Sequence, residues 1–208
     1  MYNFLANGTR TPRRKEGRVL NRILRWKERS IEYDCDPRQV ERLIAECGRG
    51  GLKVTGVATR GVKATFKELE EDSSSHPNHL NTAFRGAAAR VKYLVPDGIE
   101  LQYACKEVSR WMANTSLHAW QALKRICRYF VRAPRLVYEF WEQTVDRVDI
   151  HADTDWAGCP KTRKSTSGGC VMLGGHAIKH WSSTQASISL SFEEAEFAGV
   201  IIGGLDGA

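Results

Sequence analysis

Asp153 and Asp155 close an alternating run in which Val148 and Ile150 interleave with Arg147, Asp149 and His151, and Glu193, Glu194 and Glu196 open an apolar run further along. Carboxylates at a strand end and at the start of a facing helix form a hard-oxygen donor set of the kind Mg²⁺ or Mn²⁺ takes. A pair of such ions can activate an attacking water while neutralising charge on the leaving oxygen. Asp153, Asp155, Glu193, Glu194 and Glu196 are the candidate ligands. Asp155 competes with Asp153, because residues i and i+2 share a strand face. Glu193 and Glu194 have a second reading as charges that complement a helix N-terminus.

Polar residues nearby fit contacts to nucleic acid. Lys164, Ser165, Thr166 and Ser167 offer a charge and hydroxyls for phosphate, and Ser189 and Ser191 precede the helix as caps or as contacts to 2′-hydroxyls. Ordinary turn and cap chemistry explains each serine equally well. A rival constellation is Cys159, Cys170, His176 and His180; His-x₃-His is a plausible zinc pair, but the cysteine spacing is not that of a usual finger.

The carboxylates need elements to hold them. Asp146 to Ala152 reads as a strand with Asp153 at its exit, Lys161 to Ser167 as a basic turn, Gly168 to Leu173 as a second strand, and His176 to Ser182, after Gly174-Gly175, as a third. Short connections imply an antiparallel meander followed by a crossover helix. Upstream lie a short strand, Leu136 to Phe140, and three amphipathic helices. Thr82 to Val95 stripes Phe84, Ala87, Ala88 and Val91; Ile99 to Ala113 stripes Leu101, Cys105, Val108 and Met112. The third, capped by Ser116, runs to Val131 with Trp120, Leu123, Cys127 and Phe130 inward and Lys124, Arg125, Arg128 and Arg132 outward. Earlier still, Arg18 to Trp26 and Ser30 to Cys35 suggest a hairpin. Asp36-Pro37-Arg38-Gln39 is a helix-start signature, and Gly48 is placed to stop that helix. Glycines, Ser73 to Ser75 and Pro77 mark a linker with at most a short helix near Phe66 to Glu70.

The 208 residues, 42% apolar, suffice for one sizeable core or two small ones, and the net charge is +7. Residues 10 to 29 hold nine Lys/Arg against two Glu, and residues 101 to 135 hold seven against one. Such clustering favours a polyanionic partner, through the flank Lys124, Arg125, Arg128, Arg132 and the Arg13 to Lys15 cluster, unless these are solvated charged faces. The six cysteines sit mostly in apolar runs and read as buried reduced thiols, which suits a cytoplasmic or nuclear setting. No apolar run is long enough to cross a bilayer, so no membrane partner is expected.

Four motifs occur in order: Ala152-Asp153-Thr154-Asp155-Trp156-Ala157-Gly158, Arg163 to Gly168, Trp181-Ser182-Ser183 and Glu194-Ala195-Glu196. This stretch resembles the first half of the ribonuclease H domain of copia-type LTR-retrotransposon Pol polyproteins. Arg85, Tyr93-Leu94, His118, Ala122, Arg125 and Arg128-Tyr129 resemble the connection region of that family, and the hairpin followed by Asp36-Pro37-Arg38 resembles the end of its reverse transcriptase. The resemblance implies an α+β chain: a small hairpin/helix segment and a helical connection, then a truncated ribonuclease H-like β-β-β-α unit. The expected divisions are a basic arm (1–17), a palm/thumb remnant (18–58), a linker (59–80), the connection (81–145) and the nuclease half (146–208). It further implies hydrolysis of the RNA strand of RNA–DNA hybrids, with Asp153 and Glu196 sharing two Mg²⁺ (or Mn²⁺) ions with two later aspartates in the complete domain. Expected partners are an RNA–DNA hybrid or other nucleic acid and the remainder of the Pol polyprotein. No Tyr-x-Asp-Asp precedes the hairpin, so polymerase chemistry is not expected. Phe192 departs from the small polar residue usual in the family. The chain reads as an internal slice of Pol, inactive as it stands; the alternative is a catalytically dead, basic nucleic-acid-binding scaffold.

Overall fold

The computed structural model describes residues 15–48, 55–61, 78–159 and 162–207. These form five α-helices and two antiparallel sheets, the α+β class expected. The first sheet takes β1 (Glu16–Val19), β2 (Arg22–Trp26), β3 (Ser30–Asp34) and, from far along the chain, β4 (Val137–Trp141), in that order. The single strand expected over Arg18 to Trp26 is broken by a turn, because Leu20 and Asn21 take positive φ angles of 48° and 67°. Two successive left-handed residues make the tight turn whose twist matches paired strands, and Asn tolerates that conformation.

Helix α1 (Pro37–Gly48) starts where expected, with Asp36 Oδ1 accepting from the Arg38 backbone N–H at 3.1 Å. Helix α2 (Asn78–Leu94) buries Phe84, Ala87, Ala88, Val91 and Leu94, and Pro96 sits in the 3₁₀ turn that follows. A second 3₁₀ turn, Ile99–Leu101, leads into α3 (Gln102–Ser109), which is shorter than the expected Ile99 to Ala113. Helix α4 (Leu117–Arg132) is capped by Ser116, whose Oγ accepts from Ala119 N–H at 3.2 Å. Cys35, Val40, Leu43, Phe84, Leu123, Phe130 and Leu136 belong to one core, so the hairpin segment and the three central helices share their apolar interior.

Cys47 of α1 and Cys127 of α4 form a disulfide with Cα atoms 6.4 Å apart, which corrects the expectation of six reduced thiols. Both residues lie on the inward stripes of their helices, and only the packing of α1 on α4 brings those stripes together. Cys35, Cys105, Cys159 and Cys170 remain free. The short helix expected near Phe66 to Glu70 lies outside the described residues, as do Arg13 and Arg14 of the arm.

The second sheet is the meander β5 (Val148–Asp155), β6 (Thr166–Leu173) and β7 (His176–Thr184), followed by α5 (Phe192–Gly207). Its register runs Asp153↔Gly168↔Ser182 and Ala152↔Gly169↔Trp181. Gln143 clamps the two sheets together: its side chain donates to Leu173 O at 2.8 Å and accepts from Gly175 N–H at 2.9 Å.

Candidate carboxylate site

Helix α5 crosses β5 closely because its underside is made of small residues. A Cβ on Gly199 would lie 2.3 Å from Thr154 Oγ1, and one on Gly203 would meet Ala152 and Ile150. Since Gly199 lies over Thr154 and Gly203 over Ile150 and Ala152, the helix runs antiparallel to the strand, and its first turns sit at the Asp155 end. Side chains alternate along a strand. Ile150, Ala152 and Thr154 therefore face α5, while His151, Asp153 and Asp155 face the other way, towards α3.

That alternation corrects the expected facing of the carboxylates. Asp153 does not stand at the strand exit; it is paired within β5 to Gly168, and the strand continues to Asp155. Asp153 is exposed on the face away from α5, and Glu196 is half-buried on α5 itself, so the two do not share a face of the sheet. Glu194 caps the helix entrance, accepting from Leu190 N–H at 2.7 Å. Asp155 folds over its own turn, where a Cβ on Gly158 would collide with its carboxylate. Among the described residues no three His, Cys, Asp or Glu side chains gather in a way that could hold a metal ion. The donor type suits Mg²⁺, but this set of donors does not make a metal centre, and no catalytic step through a metal is derived for it.

Asp153 and Asp155 border a hollow of about 420 Å³ between the sheet and α3, with Tyr103, Gln102, Thr166 and Cys170 also on its walls. Three α3-side residues spaced by one helical turn each reach the sheet unit. Gln102 Nε2 approaches His180 Nδ1 at 2.6 Å, Lys106 Nζ donates to Thr166 Oγ1 at 2.8 Å, and Arg110 Nη2 donates to Cys159 Sγ at 2.8 Å. Burial pushes the Tyr103 hydroxyl up to about 12, so it stays a neutral phenol beside Asp155. Burial alone would raise the Cys159 thiol, yet donors from Thr162 and Arg110 outweigh it and lower it to about 7. Sequence reasoning missed Gln102, Tyr103, Lys106 and Arg110; the signal was the polar stripe opposite Leu101, Cys105 and Val108.

The hydroxyl residues proposed for nucleic acid have structural partners. Ser165 is fully buried and accepts from Ala157 N–H, Thr166 is bound to Lys106, and Ser189 donates to Gln185 Oε1. Ser191 Oγ accepts from Glu194 N–H as the helix cap, and Lys164 Nζ donates to Ala186 O. Of the run expected as a turn, residues 162–165 precede the strand and only Thr166 and Ser167 begin β6, where both are buried.

The basic flank of α4 is partly occupied as well. Residues 55–61 run along it: Arg128 Nε donates to Thr55 O at 2.8 Å, Arg125 donates to Thr59 Oγ1, and Val57 N–H donates to Arg128 O. Lys124 and Arg132 are exposed on the same helix. Near the N-terminus, Arg22 pairs with Asp97, Arg25 with Glu16, Glu32 and Asp34, and Lys27 with Glu32 and Glu139. The zinc constellation does not gather into one site: Cys170 and His180 are cross-strand neighbours, but Cys159 is held by Arg110, His180 by Gln102, and His176 lies against Trp141 O and the Phe140 ring.

The Pol polyproteins of transposons RE2 and RE1 from Arabidopsis thaliana are each 33% identical to the chain over 121 residues, 57% of this chain and 8% of theirs. A protein named secreted RxLR effector protein 161, from Plasmopara viticola, is 30% identical over 118 residues, 56% of this chain and 83% of its own length. The chain belongs to the copia-type retrotransposon Pol family. It carries a stretch of Pol that spans about 8% of the length of the RE1 and RE2 polyproteins. No family model and no solved structure matches. Among the described residues of this Pol segment, no helix is long and apolar enough to cross a membrane.

Proposed function

We propose that this Pol segment contributes the first half of a ribonuclease H domain, which in a longer protein hydrolyses the RNA strand of RNA–DNA hybrids. The observation that carries the reading is the order of parts: an antiparallel meander whose first strand bears Asp153 within its last three residues, then a helix that returns antiparallel over that strand with Glu196 near its start. Asp153 and Glu196 are the carboxylates this chain would bring. Donors from beyond the described residues would complete any site for Mg²⁺ or Mn²⁺.

The test uses the chain joined to the second half of a copia-type ribonuclease H domain and assayed on a hybrid in Mg²⁺ and in Mn²⁺. Cleavage abolished by Asp153→Asn, with hybrid binding retained, is the expected result. Turnover that survives the substitution would remove Asp153 from the site. A second reading, a basic scaffold that binds nucleic acid without cleaving it, draws support from the absence of three convergent donors among the described residues and from the exposed Lys124 and Arg132. It predicts hybrid binding with no cleavage by the joined protein.

A further inference from the structure

The sheet unit, β5 to β7 with α5, has no residue in the apolar core that joins α1, α2, α3 and α4. Its own buried apolar residues, Cys159, Val171 and Ala195, lie outside that cluster. What holds α3 against the sheet unit is the polar ladder of Gln102 to His180, Lys106 to Thr166 and Arg110 to Cys159. The rungs reach three different places: β7, the start of β6, and the turn after β5. Gln102 secures its rung twice, since Nε2 also donates to His180 O at 3.0 Å. Interfaces between parts with separate cores, joined by polar contacts, permit relative motion as the default. Charged donors on a helix also give up their bonds at lower cost than an apolar seam does, because water can replace them.

From this we propose that α3 is a movable wall of the carboxylate hollow, and that the Gln102, Lys106 and Arg110 ladder acts as its latch. When the rungs part together, the sheet unit swings away from α3, and the hollow beside Asp153 and Asp155 widens. The proposal names a regulation of the carboxylate site, but its test does not depend on cleavage. Failure of the ribonuclease reading would leave the latch standing, and the reverse.

Native cysteines report on both sides of the wall. Cys159 is buried under Arg110, Cys170 borders the hollow, and Cys105 faces the helical core from α3. Two substitutions break the middle rung from opposite sides: Lys106→Met, which keeps most of the aliphatic stem, and Thr166→Val, which keeps the shape and removes the acceptor. Lys106 and Arg110 both pair with Glu107, so Thr166→Val, which alters the rung from the sheet side, is the variant whose change at Cys159 reads the whole wall. Each variant of the full chain is labelled with a maleimide at one fixed pH, and the rate at each thiol is read by peptide mass. Losing a hydrogen bond from a charged donor should raise the open population, and with it the labelling of Cys159 and Cys170, by about tenfold, with Cys105 still protected. An unchanged rate at Cys159 in both variants would overturn the latch. Parallel acceleration at Cys105 would overturn it too, since the helix would then have melted rather than moved.

Discussion

At the scale of single residues, the sheet unit depends on what is missing from α5. Gly199 has no side chain where Thr154 Oγ1 lies, so Gly199→Ala must lift the helix or turn the threonine. Overpacking of this kind costs about 1–3 kcal/mol, read as a lower urea midpoint. Thr154→Ala in the same chain should recover part of that loss, because residues in contact are not additive. His180 sets a different dependence. Burial lowers its pKa, so the unfolded chain takes up a proton more readily than the folded one. Stability is then kept above the ordinary histidine value of about 6.5 and lost as pH falls from there through the folded value. Denaturant midpoints at pH values on either side of that window should fall less steeply for His180→Asn than for the parent chain. Equal slopes would mean that His180 is not the group responsible.

Among the elements, α1 and α4 are tied twice, by the shared core and by the Cys47–Cys127 bond. The bond closes a loop across a sequence separation of 80, and restricting an unfolded chain to that extent is worth roughly 2–5 kcal/mol. Reduction by dithiothreitol should therefore lower the urea midpoint, and Cys47→Ser should be insensitive to the reductant. At the other end of α4, Ser116→Ala removes the acceptor for Ala119 N–H and should cost about 0.5–2 kcal/mol. The strap over residues 55–61 reads differently. Its contacts use Arg125 and Arg128, so substituting these two should loosen the strap, seen as faster amide exchange at Val57, whose N–H bonds to Arg128 O.

For the whole molecule, the formal charge of +7 overstates what a polyanion meets. Arg22, Arg25 and Lys27 are committed to Asp97, Glu16, Glu32, Asp34 and Glu139, whereas Lys124 and Arg132 are exposed on α4. Each phosphate neutralised contributes about −0.9 to the slope of log K against log salt on duplex DNA. If Lys124 and Arg132 carry the binding, Lys124→Ala with Arg132→Ala should flatten that slope by about two such increments, while Arg25→Ala should lower stability and leave the slope unchanged. Fluorescence anisotropy with a labelled hybrid across a salt series decides between them. The purified chain itself should not cleave the hybrid in Mg²⁺ or Mn²⁺, because Asp153 and Glu196 do not share a face of the sheet. Activity that disappears in Asp153→Asn would refute this.

Local periodicity and punctuation were enough to read most of the elements from the sequence. The alternation of Val148 and Ile150, the Asp36-Pro37 start, the Ser116 cap and the Gly174-Gly175 turn each act over a few residues, and each appears in the structure close to its expected place. Motif order was enough to reach the Pol family. Contacts between distant parts of the chain were not legible. The pairing of β4 with β3, the Cys47–Cys127 bond, the burial of Ser165 and Thr166, and the commitment of Arg125 and Arg128 to the strap all join segments that no local pattern connects. The site shows the division most clearly. Spacing marked Asp153 and Glu196 as carboxylates on a strand and a helix, but which face of the strand meets that helix was decided by two glycines, Gly199 and Gly203, that let α5 settle onto Thr154, Ala152 and Ile150. A strand turns its alternate side chains to opposite faces, so that packing choice alone sent Asp153 to the side of α3.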